Sequence, residues 1–502
     1  MRDHWPLHRA SRSGPVLALY CFEPEQLAQP DASRRHRSFV EASLAELAHD
    51  LARANIRLLV WHGEVVEALA ALRAVHPLAA LWSHEETGNL SSYARDRAVA
   101  GWCRTYGVVW TEVPQTGVVR RLRDRDHWHA EWEAFMAAGV APLPEVVPDL
   151  PPAVAGLCAP PPQVPAAPLC QRGGRRAAAA VLREFLEGRA AAYRGGISSP
   201  LKAPTACSRL SPYLAWGNVS MREVVRATRA RAAQLADLPP ERRAPRLLAS
   251  LRAFESRLHW HCHFIQKLES EPALEVRNMH RGYDGLREDD FDRIRFEAWA
   301  RGETGVPLVD ACMAMLRETG WLNFRMRAML MSFAAYQLWL HWREPGLHLA
   351  RLFTDYEPGI HWPQVQMQSG VTGINALRVY NPVKQARDHD PDGVFVRRWL
   401  PALRQVPEAW LFEPWKMPSN VQDACGVLIG RDYPAPLVEP DAGLRAARAR
   451  IAEWRKRPGL KQETQRVFLQ HGSRKKVTTR RRMSIRTRAS AQRDLFDTQE
   501  NA

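Results

Sequence analysis

The chain has 502 residues, of which 46% are hydrophobic and 25% are charged, so it is globular, long enough for two or three domains, and not a wholly disordered chain. Its formal net charge of +16 favours a polyanionic partner such as nucleic acid, although an arginine-rich proteome would give the same balance. The eight cysteines include no Cys-x-x-Cys pair, which argues against a disulfide framework, a zinc site and an iron–sulfur cluster. No signal peptide or long apolar run is visible, so we expect a soluble, cytoplasmic protein without membrane contact.

Short apolar runs alternate with helical stretches in the first part of the chain. A helical stretch at 39–54 is one example. This alternation predicts a parallel α/β sheet in a domain over residues 1–140. The runs that we expect to form buried strands are 14–22, 56–63, 76–83 and 106–113.

A proline-rich connector follows over residues 141–175, because 142–168 holds ten prolines and neither Lys nor Arg. From 176 to 455 the hydrophobic pattern repeats every 3.6 residues, which predicts an all-helical domain. The clearest helical stretches are 224–236, 307–320 and 324–342.

The last segment, residues 456–502, is a basic tail that we expect to be disordered. Residues 471–493 hold nine Lys and Arg and no acidic residue, so they cannot bury a core. Such a segment can bind phosphates without reading sequence. The alternative is a solvated tail without a partner.

The stretch TACSRLSPYLAWG at 205–217 contains a helix-start signal, since Ser211 can cap the helix and Pro212 fits its first position. Adjacent hydroxyls and Arg209 would suit an anion, although an ordinary capped helix with an exposed arginine explains the same residues.

Together with motifs further along the chain, this stretch resembles the DNA photolyase/cryptochrome family. The resemblance implies an α/β amino-terminal domain, the Rossmann-like antenna domain with a parallel sheet, and an all-α FAD-binding domain. The chain begins after the position of the family's first strand, so we expect the sheet to lack that strand or a start codon to lie upstream of Met1. The further motifs are GETGVPLVDACMAMLRETGWLNFRMR (302–327), LHWRE (340–344), YNPVKQARDHDPDGVFVRRWLP (380–401), EPW (413–415) and DYPAPLVE (432–439).

The resemblance implies that FAD binds in the helical domain. Arg327 and Asp355 match an arginine–aspartate pair beside the flavin ring, and Cys207 stands where the family usually has Thr or Ser. Without the family, each residue could equally be structural. The full set implied for the cofactor is Tyr193, Cys207, Ser208, Arg209, Leu210, Ser211, Arg327, Asp355, Glu357 and His361.

His361 occupies the position that faces flavin N5, where photolyases carry Asn and plant cryptochromes carry Asp. A histidine titrates near neutral pH and could protonate N5 or hydrogen-bond to it. The alternative is that this segment is shifted and His361 points elsewhere.

The family often passes electrons to the flavin along three tryptophans, and this chain resembles a divergent subgroup without that triad. Trp342 matches the middle position, whereas Val365 and Asp289 fall at the inner and outer ones. Trp362 is one substitute for the inner tryptophan. Trp339 and Tyr336 are further candidates for electron transfer. The residues that we expect to act in catalysis are Trp342, Trp362 and His361.

The lesion-binding region is also altered. Trp260 and His261 are the nearest candidates for lesion contact, and Asn323 adjoins Phe324, which replaces an asparagine of the family. His259, His261 and His263 do not share one helix face, so we expect no metal site.

The leading hypothesis is a deoxyribodipyrimidine photolyase, a monomer that repairs damaged DNA with light and reduced FAD. The alternative is a cryptochrome photoreceptor without repair, and a light-insensitive FAD protein is a minor third. The sequence leaves open whether a second, antenna chromophore is bound, and its identity is unknown. Gln492-Arg493-Asp494-Leu495-Phe496 resembles the peptide by which bacterial repair proteins bind the sliding clamp.

Overall fold

The computed structural model describes residues 2–158, 169–242, 244–377 and 379–473. The basic stretch beyond Ser473 and the peptide Gln492–Phe496 lie outside the described residues. No helix in the described ranges is long and apolar enough to cross a membrane.

The amino-terminal region is an α/β layer, and its four predicted strands are confirmed. β1 pairs with β2 in parallel, and β3 pairs with β4 in parallel, but the two pairs form separate two-stranded sheets rather than one sheet. The parallel pairs follow from helical crossovers between consecutive strands. The strands are β1 (Leu17–Phe22), β2 (Arg57–His62), β3 (Ala80–His84) and β4 (Val109–Val113).

The helices of this region cover the strands on both sides, as expected for buried parallel strands. The longest begins after Ser33, whose hydroxyl accepts a hydrogen bond from the amide of His36. They are α1 (Trp5–Ser11), α2 (Pro24–Leu27), α3 (Arg34–Ala52), α4 (Val65–Val75), α5 (Leu90–Tyr106), α6 (Trp128–Ala137) and α7 (Pro152–Ala155).

The described part of the proline-rich connector lies against the α/β layer. The Val147 amide donates to the Ala54 carbonyl, and the Asn55 side chain donates to the Val147 carbonyl and the Asp149 carboxylate. Main-chain pairing of this kind fixes a segment that has no secondary structure of its own.

The remainder of the described chain is helical, as predicted. Short 3₁₀ turns lie at 189–192, 240–242, 272–275, 281–283, 401–403, 408–410 and 414–416. The α-helices are α8 (Arg175–Glu187), α9 (Tyr193–Gly196), α10 (Ala203–Ala206), α11 (Ser211–Ala215), α12 (Met221–Ala236), α13 (Pro245–Ser270), α14 (Arg293–Arg301), α15 (Pro307–Thr319), α16 (Phe324–Ser332), α17 (Arg343–Leu352), α18 (Pro358–Gln368), α19 (Pro382–His389), α20 (Val394–Trp399), α21 (Ser419–Cys425), α22 (Pro440–Trp454) and α23 (Leu460–His471).

The helices α13 and α18 pack closely at the centre of this domain. Gly359 permits the approach, because a Cβ atom there would lie 2.7 Å from the Ile265 Cα atom. Leu258 and Cys262 on α13 are buried in one apolar cluster, whereas Trp362 and Val365 on α18 are buried in a second. The contact therefore joins the two cores.

The prediction of one helix over 324–342 is only partly right. α16 ends at Ser332, a π-helical turn spans Phe333–Gln337, and Trp339 has a left-handed backbone with φ +57°. The residues after Ser332 are apolar on every face of the predicted helix, so the hydrophobic pattern does not show where the helix ends. The exit places the Trp339 ring 4.5 Å from the Arg287 guanidinium and 4.9 Å from that of Arg450.

The ordered helical region also extends beyond residue 455, which corrects the predicted start of the disordered tail. The helix α23 lies in that segment, with Val467 and His471 fully buried. His471 Nε2 lies 2.7 Å from the Glu271 carboxylate. These apolar and charged contacts hold α23 against the end of α13, and a count of basic residues does not reveal them.

Candidate functional site

The loop from Cys207 to Ser211 connects α10 and α11 and has a strained backbone. Arg209 adopts φ +62°, a left-handed conformation that non-glycine residues rarely occupy. The Arg189 guanidinium donates to the carbonyl oxygens of Thr205, Cys207 and Ser208 at 3.1, 2.6 and 3.3 Å. These charge-assisted bonds hold the loop in the strained form.

The connector also holds this loop. Arg209 Nε donates to Gln171 Oε1 at 3.1 Å, and Gln171 Nε2 donates back to the Arg209 carbonyl at 2.9 Å. The Arg209 guanidinium lies 3.8 Å from the centre of the Trp321 ring. Burial lowers the pKa of Arg209 to about 10, so it remains a cation at neutral pH.

An ion pair between partly exposed Arg327 and buried Asp355 lies beside the loop. Arg327 Nη1 and Nη2 donate to the two carboxylate oxygens of Asp355 at 3.0 and 2.8 Å, and Arg327 Nε donates to the Leu322 carbonyl at 2.6 Å. Burial alone would raise the pKa of Asp355, but Arg327 and the Ser211 hydroxyl hold it below its usual value. The bidentate geometry fixes the orientation of the guanidinium plane.

Glu357 caps α18 and is the second carboxyl group of the site. Its Oε1 accepts a hydrogen bond from the Gly359 amide at 3.3 Å. Burial raises the pKa of Glu357 to about 7, so a large fraction of this group is protonated at neutral pH.

One turn further along α18, His361 is buried and neutral. Its Nε2 lies 2.8 Å from the Gly346 carbonyl oxygen, which can only accept, so we assign the proton to Nε2 and the lone pair to Nδ1. Burial lowers the pKa of His361 to about 4. The ring packs edge-on against Tyr356 at 5.2 Å.

A line of aromatic rings leads away from His361. Trp362 lies 5.0 Å from His361 and 5.8 Å from Trp342 between ring centroids. Both tryptophans are fully buried. The Trp342 indole N–H donates to Asn278 Oδ1 at 2.7 Å, and the Asn278 amide donates to Asp284 at 2.8 Å.

Of the remaining residues of the predicted cofactor set, Tyr193 and Leu210 are buried, and Cys207 and Ser208 are partly buried. Burial raises the pKa of Cys207 to about 12, so its thiol is neutral. Burial also raises the pKa of Tyr193, whose side chain forms a hydrogen bond with Arg257. Leu210 belongs to the core. Ser208 Oγ accepts from the Leu210 amide at 3.4 Å, so its hydroxyl proton is directed elsewhere.

The three predicted lesion residues make separate contacts. Trp260 packs on His263 at 5.0 Å, and burial lowers the pKa of its neighbour His261 to about 4. Asn323 is only 2% exposed, and its amide donates to the carbonyls of Ile197 and Ser198 at 2.9 and 3.2 Å.

Comparison with known proteins decides the family. The family described as "DNA photolyase" matches residues 1–123, and the one described as "FAD binding domain of DNA photolyase" matches residues 254–453. The chain belongs to the photolyase/cryptochrome family. The second match covers α13 from residue 254 onward, the Arg327–Asp355 pair, Glu357 and His361.

Relatives of both kinds match nearly the whole chain. The chain is 29% identical to a deoxyribodipyrimidine photo-lyase of Vibrio cholerae over 463 residues, which cover 87% of this chain and 94% of that protein. It is also 29% identical to a cryptochrome DASH of Gloeobacter violaceus, covering 88% of this chain and 91% of the relative.

Solved structures support the same fold. A cryptochrome of Synechocystis superposes with a TM-score of 0.75 at 25% identity, over 89% of this chain and 96% of that one. A class III photolyase of Agrobacterium tumefaciens gives a TM-score of 0.74 at 24% identity, over 91% and 95% of the two chains.

The residues of this photolyase/cryptochrome chain fit FAD. The Ser208 hydroxyl proton and the Arg209 cation suit a diphosphate, and the bidentate Arg327–Asp355 pair suits a planar ring with hydrogen-bonding edges. Within the described residues, His261 Nδ1 and Asn323 Oδ1 are buried polar atoms without a protein partner. A polar ligand would satisfy such atoms, since leaving them unpaired is costly.

The sequence analysis missed four residues that shape this site: Gln171, Arg189, Arg257 and Asn278. Gln171 lies in the connector, and Arg189 lies in the short turn after α8. Neither belongs to a quoted motif, and only the folded chain brings them to the loop. Their contacts with main-chain carbonyls leave no periodic signal in the sequence.

Proposed function

We propose that this chain is a deoxyribodipyrimidine photolyase, a light-dependent flavoprotein that repairs pyrimidine dimers in DNA. The arrangement that carries the proposal is the bidentate Arg327–Asp355 pair beside the loop that Arg189 holds, with the aromatic line from Trp342 to His361 ending next to it. The relatives named deoxyribodipyrimidine photo-lyase and the net charge of +16 support it.

FAD, when bound, supplies the absorption of light and the one-electron transfer that splits the dimer. In the proposal, the side chains of Ser208 and Arg209 and the main-chain amide of Ser211, whose hydroxyl bonds Asp355, bind its phosphates, and Tyr193 and Leu210 pack against it. Arg327 and Asp355 orient the ring, and the neutral Cys207 thiol replaces a stronger hydroxyl donor. Glu357 adds a protonated carboxyl group at neutral pH.

We propose that His361 acts toward the cofactor as a hydrogen-bond acceptor. Its only proton at neutral pH is on Nε2, which the Gly346 carbonyl engages. With a pKa of about 4, the ring does not carry a second proton to donate at pH 7. Of the two roles considered from the sequence, this tautomer favours hydrogen bonding over proton donation.

We propose Trp362 and Trp342 as the electron donors within the protein. Their ring separation of 5.8 Å is short enough for direct contact of the two π-systems. Trp342 can carry a positive charge more easily than Trp339, because its hydrogen-bond partner Asn278 leads to the Asp284 carboxylate. Trp339 lies between two guanidinium groups, which disfavour a positive charge on its ring.

The proposed substrate is a pyrimidine dimer flipped out of damaged DNA, with Trp260, His261 and Asn323 as contacts. Trp260 offers a partly exposed ring for stacking, and Asn323 Oδ1 is an acceptor without a protein partner, as is His261 Nδ1 in the tautomer with its proton on Nε2. Such acceptors suit the N–H groups of the pyrimidine rings.

A cryptochrome photoreceptor without repair is the second candidate. The observation that favours it is the separation of the three lesion candidates, since Asn323 already uses its amide for Ile197 and Ser198. The relatives named cryptochrome DASH agree with this alternative.

The decisive experiment is repair by the purified, photoreduced protein. Under anaerobic conditions, a single-stranded oligonucleotide with one cyclobutane dimer is exposed to blue light, with a dark sample and a (6-4) lesion in parallel. We expect light-dependent restoration of the pyrimidines and its loss in Trp260→Ala, while Trp5→Phe, on α1 of the α/β layer, keeps repair. Intact FAD and DNA binding without repair of either lesion would establish the cryptochrome alternative instead.

Three further proposals come from the sequence: a second chromophore, a contact with the sliding clamp, and a monomeric state. A second chromophore would appear as an extracted compound other than FAD, measured by chromatography of the denatured protein. We also propose that Gln492–Phe496 binds the bacterial sliding clamp and that the protein is otherwise a monomer. A pull-down that Leu495→Ala and Phe496→Ala leave unchanged would reject the clamp contact, and light scattering measures the mass.

A further inference from the structure

A hydrogen bond between Tyr356 and Asp31 joins the helical domain to the α/β layer. The Tyr356 hydroxyl donates to the Asp31 carboxylate at 2.5 Å. Asp31 lies between α2 and α3 and is only 4% exposed, and the Asn89 amide lies 3.5 Å from the same carboxylate oxygen. A phenol is thus held in direct contact with a buried proton acceptor.

The same tyrosine belongs to the aromatic group around His361. Its ring lies 5.2 Å from the His361 ring and stacks on the His36 ring at 5.7 Å. Burial and the Asp31 carboxylate raise the pKa of Tyr356 well above its usual value, whereas a contact with the Trp362 side chain opposes this shift. The Tyr356 hydroxyl therefore lies between Trp362 and Asp31.

The tryptophan at the other side of Trp362 has no such proton acceptor. The Trp342 N–H donates to the Asn278 amide oxygen, which is not a base at neutral pH. An oxidised Trp342 therefore keeps its proton and its positive charge, and it can readily take an electron back.

We propose that Tyr356 and Asp31 form a proton-coupled electron donor to Trp362. In this step the Trp362 radical cation takes one electron from the Tyr356 ring, and the hydroxyl proton of Tyr356 moves to the Asp31 carboxylate. Trp362 returns to the neutral indole, Tyr356 becomes a neutral phenoxyl radical, and Asp31 becomes a carboxylic acid. The oxidant that first removes the electron from Trp362 is the light-excited flavin of the proposed function, on which this inference rests.

Movement of the proton makes Tyr356 a durable donor. Loss of an electron turns a phenol into a strong acid, and the 2.5 Å contact lets its proton reach Asp31 without rearrangement of the chain. The phenoxyl radical and the carboxylic acid are both neutral, so the step leaves no new charge in a buried place. Return of the electron then requires return of the proton, which slows recombination.

The test is electron paramagnetic resonance of the FAD-loaded full chain after a light flash, with ring-deuterated tyrosine to identify the radical. We expect a tyrosyl radical in the parent and none in Tyr356→Phe. Asp31→Asn keeps the shape of the partner but takes up no proton, so the radical yield should fall by at least about 10-fold. The controls Tyr106→Phe and Asp290→Asn change exposed residues and should match the parent.

Two spectra separate this role from a structural one. The light-minus-dark infrared spectrum should show the C=O stretch of a newly protonated carboxyl group in the parent and not in Asp31→Asn. In the dark, the proton NMR spectrum of the parent should show a far-downfield hydroxyl resonance that Tyr356→Phe lacks. If Asp31→Asn does not fold, Tyr356→Phe, which loses only a hydroxyl group, still decides the question.

Two results would overturn the inference. The first is a tryptophan radical that decays equally fast in the parent and in Tyr356→Phe, with no tyrosyl signal in either. The second is a tyrosyl radical whose yield Asp31→Asn leaves unchanged. Failure of the proposed function gives a different pattern, because a tyrosyl radical that depends on Asp31, in a protein that repairs no dimer, would refute the photolyase and support the pair.

Discussion

Replacement of Glu357 by Gln tests whether the second carboxyl group of the site is protonated. The carboxyl is buried, and burial raises its pKa from 4.5 to about 7. Because the folded-state pKa lies above the unfolded one, Glu357 contributes most to stability below pH 4.5, and this contribution is lost as pH rises through 7. A shift of this size corresponds to roughly 3 kcal/mol.

The glutamine side chain introduced by Glu357→Gln keeps the shape and the oxygen that accepts from the Gly359 amide, but it does not titrate. The Glu357→Gln variant and the parent should therefore be about equally stable near pH 4.5, and the variant should be more stable by about 3 kcal/mol at pH 8. His361 has the opposite sign, because burial lowers its pKa from 6.5 to about 4 and its contribution is lost as pH falls. This second effect is common to both proteins and cancels in their difference.

The assay is urea unfolding of the FAD-free protein from pH 4.5 to pH 9. For a domain of this size the urea midpoint of Glu357→Gln should lie about 1 M above that of the parent at pH 8 and coincide with it at pH 4.5. Glu408→Gln, at an exposed position, is the control and should follow the parent throughout. A constant difference between Glu357→Gln and the parent at all pH values would refute the proposed protonation.

The other predictions concern binding and photochemistry. Asp355→Asn leaves the Arg327 cation without its carboxylate and should weaken FAD binding by about 100-fold, measured by equilibrium dialysis, whereas Asp388→Asn on exposed α19 should not. Arg189→Met removes the donors to three loop carbonyls and should raise the FAD dissociation constant by at least about 10-fold. Unchanged FAD affinity would show that Arg189 does not hold the loop of residues 207–211 in its binding conformation. Trp362→Phe and Trp342→Phe should each slow photoreduction by about 10-fold or more, while Trp339→Phe should not, as transient absorption would show. His361→Asn should keep FAD bound and remove any pH dependence of the flavin spectrum centred near pH 4, where His361 titrates in the folded protein.

The fold was largely predictable because its signals are local. Apolar runs marked all four strands, and the 3.6-residue repeat marked α12 and α15. The end of α16 was not predictable, because Ser332 and the residues after it are buried all round and their exit depends on Trp339 packing between two arginines from other segments. The separation of the two sheets was also not predictable, because the hydrophobic pattern within a strand does not show which strands pair with one another.

The site was predictable where a motif carried it. Arg327 and Asp355 were expected to pair and do so at 2.8–3.0 Å. The residues that hold the 207–211 loop could not be predicted. Gln171 and Arg189 donate to main-chain carbonyls, and any donor side chain of suitable length could serve there. Protonation states are likewise set by burial, which the sequence does not give for an individual carboxyl or imidazole.

The protonation states of Glu357, which caps α18, and His361, which lies on α18, determine the net charge of the site. Arg209 and Arg327 provide two positive charges and Asp355 one negative charge, so with neutral His361 the site is net positive only while Glu357 stays protonated. Ionised Glu357 would cancel that excess and oppose the binding of a dianionic cofactor. A charged His361 would strengthen electrostatic binding, but it would lose the lone pair that Nδ1 offers. The two opposed pKa shifts, to about 7 and about 4, therefore leave a window centred between these values in which the site both attracts phosphate and accepts a hydrogen bond.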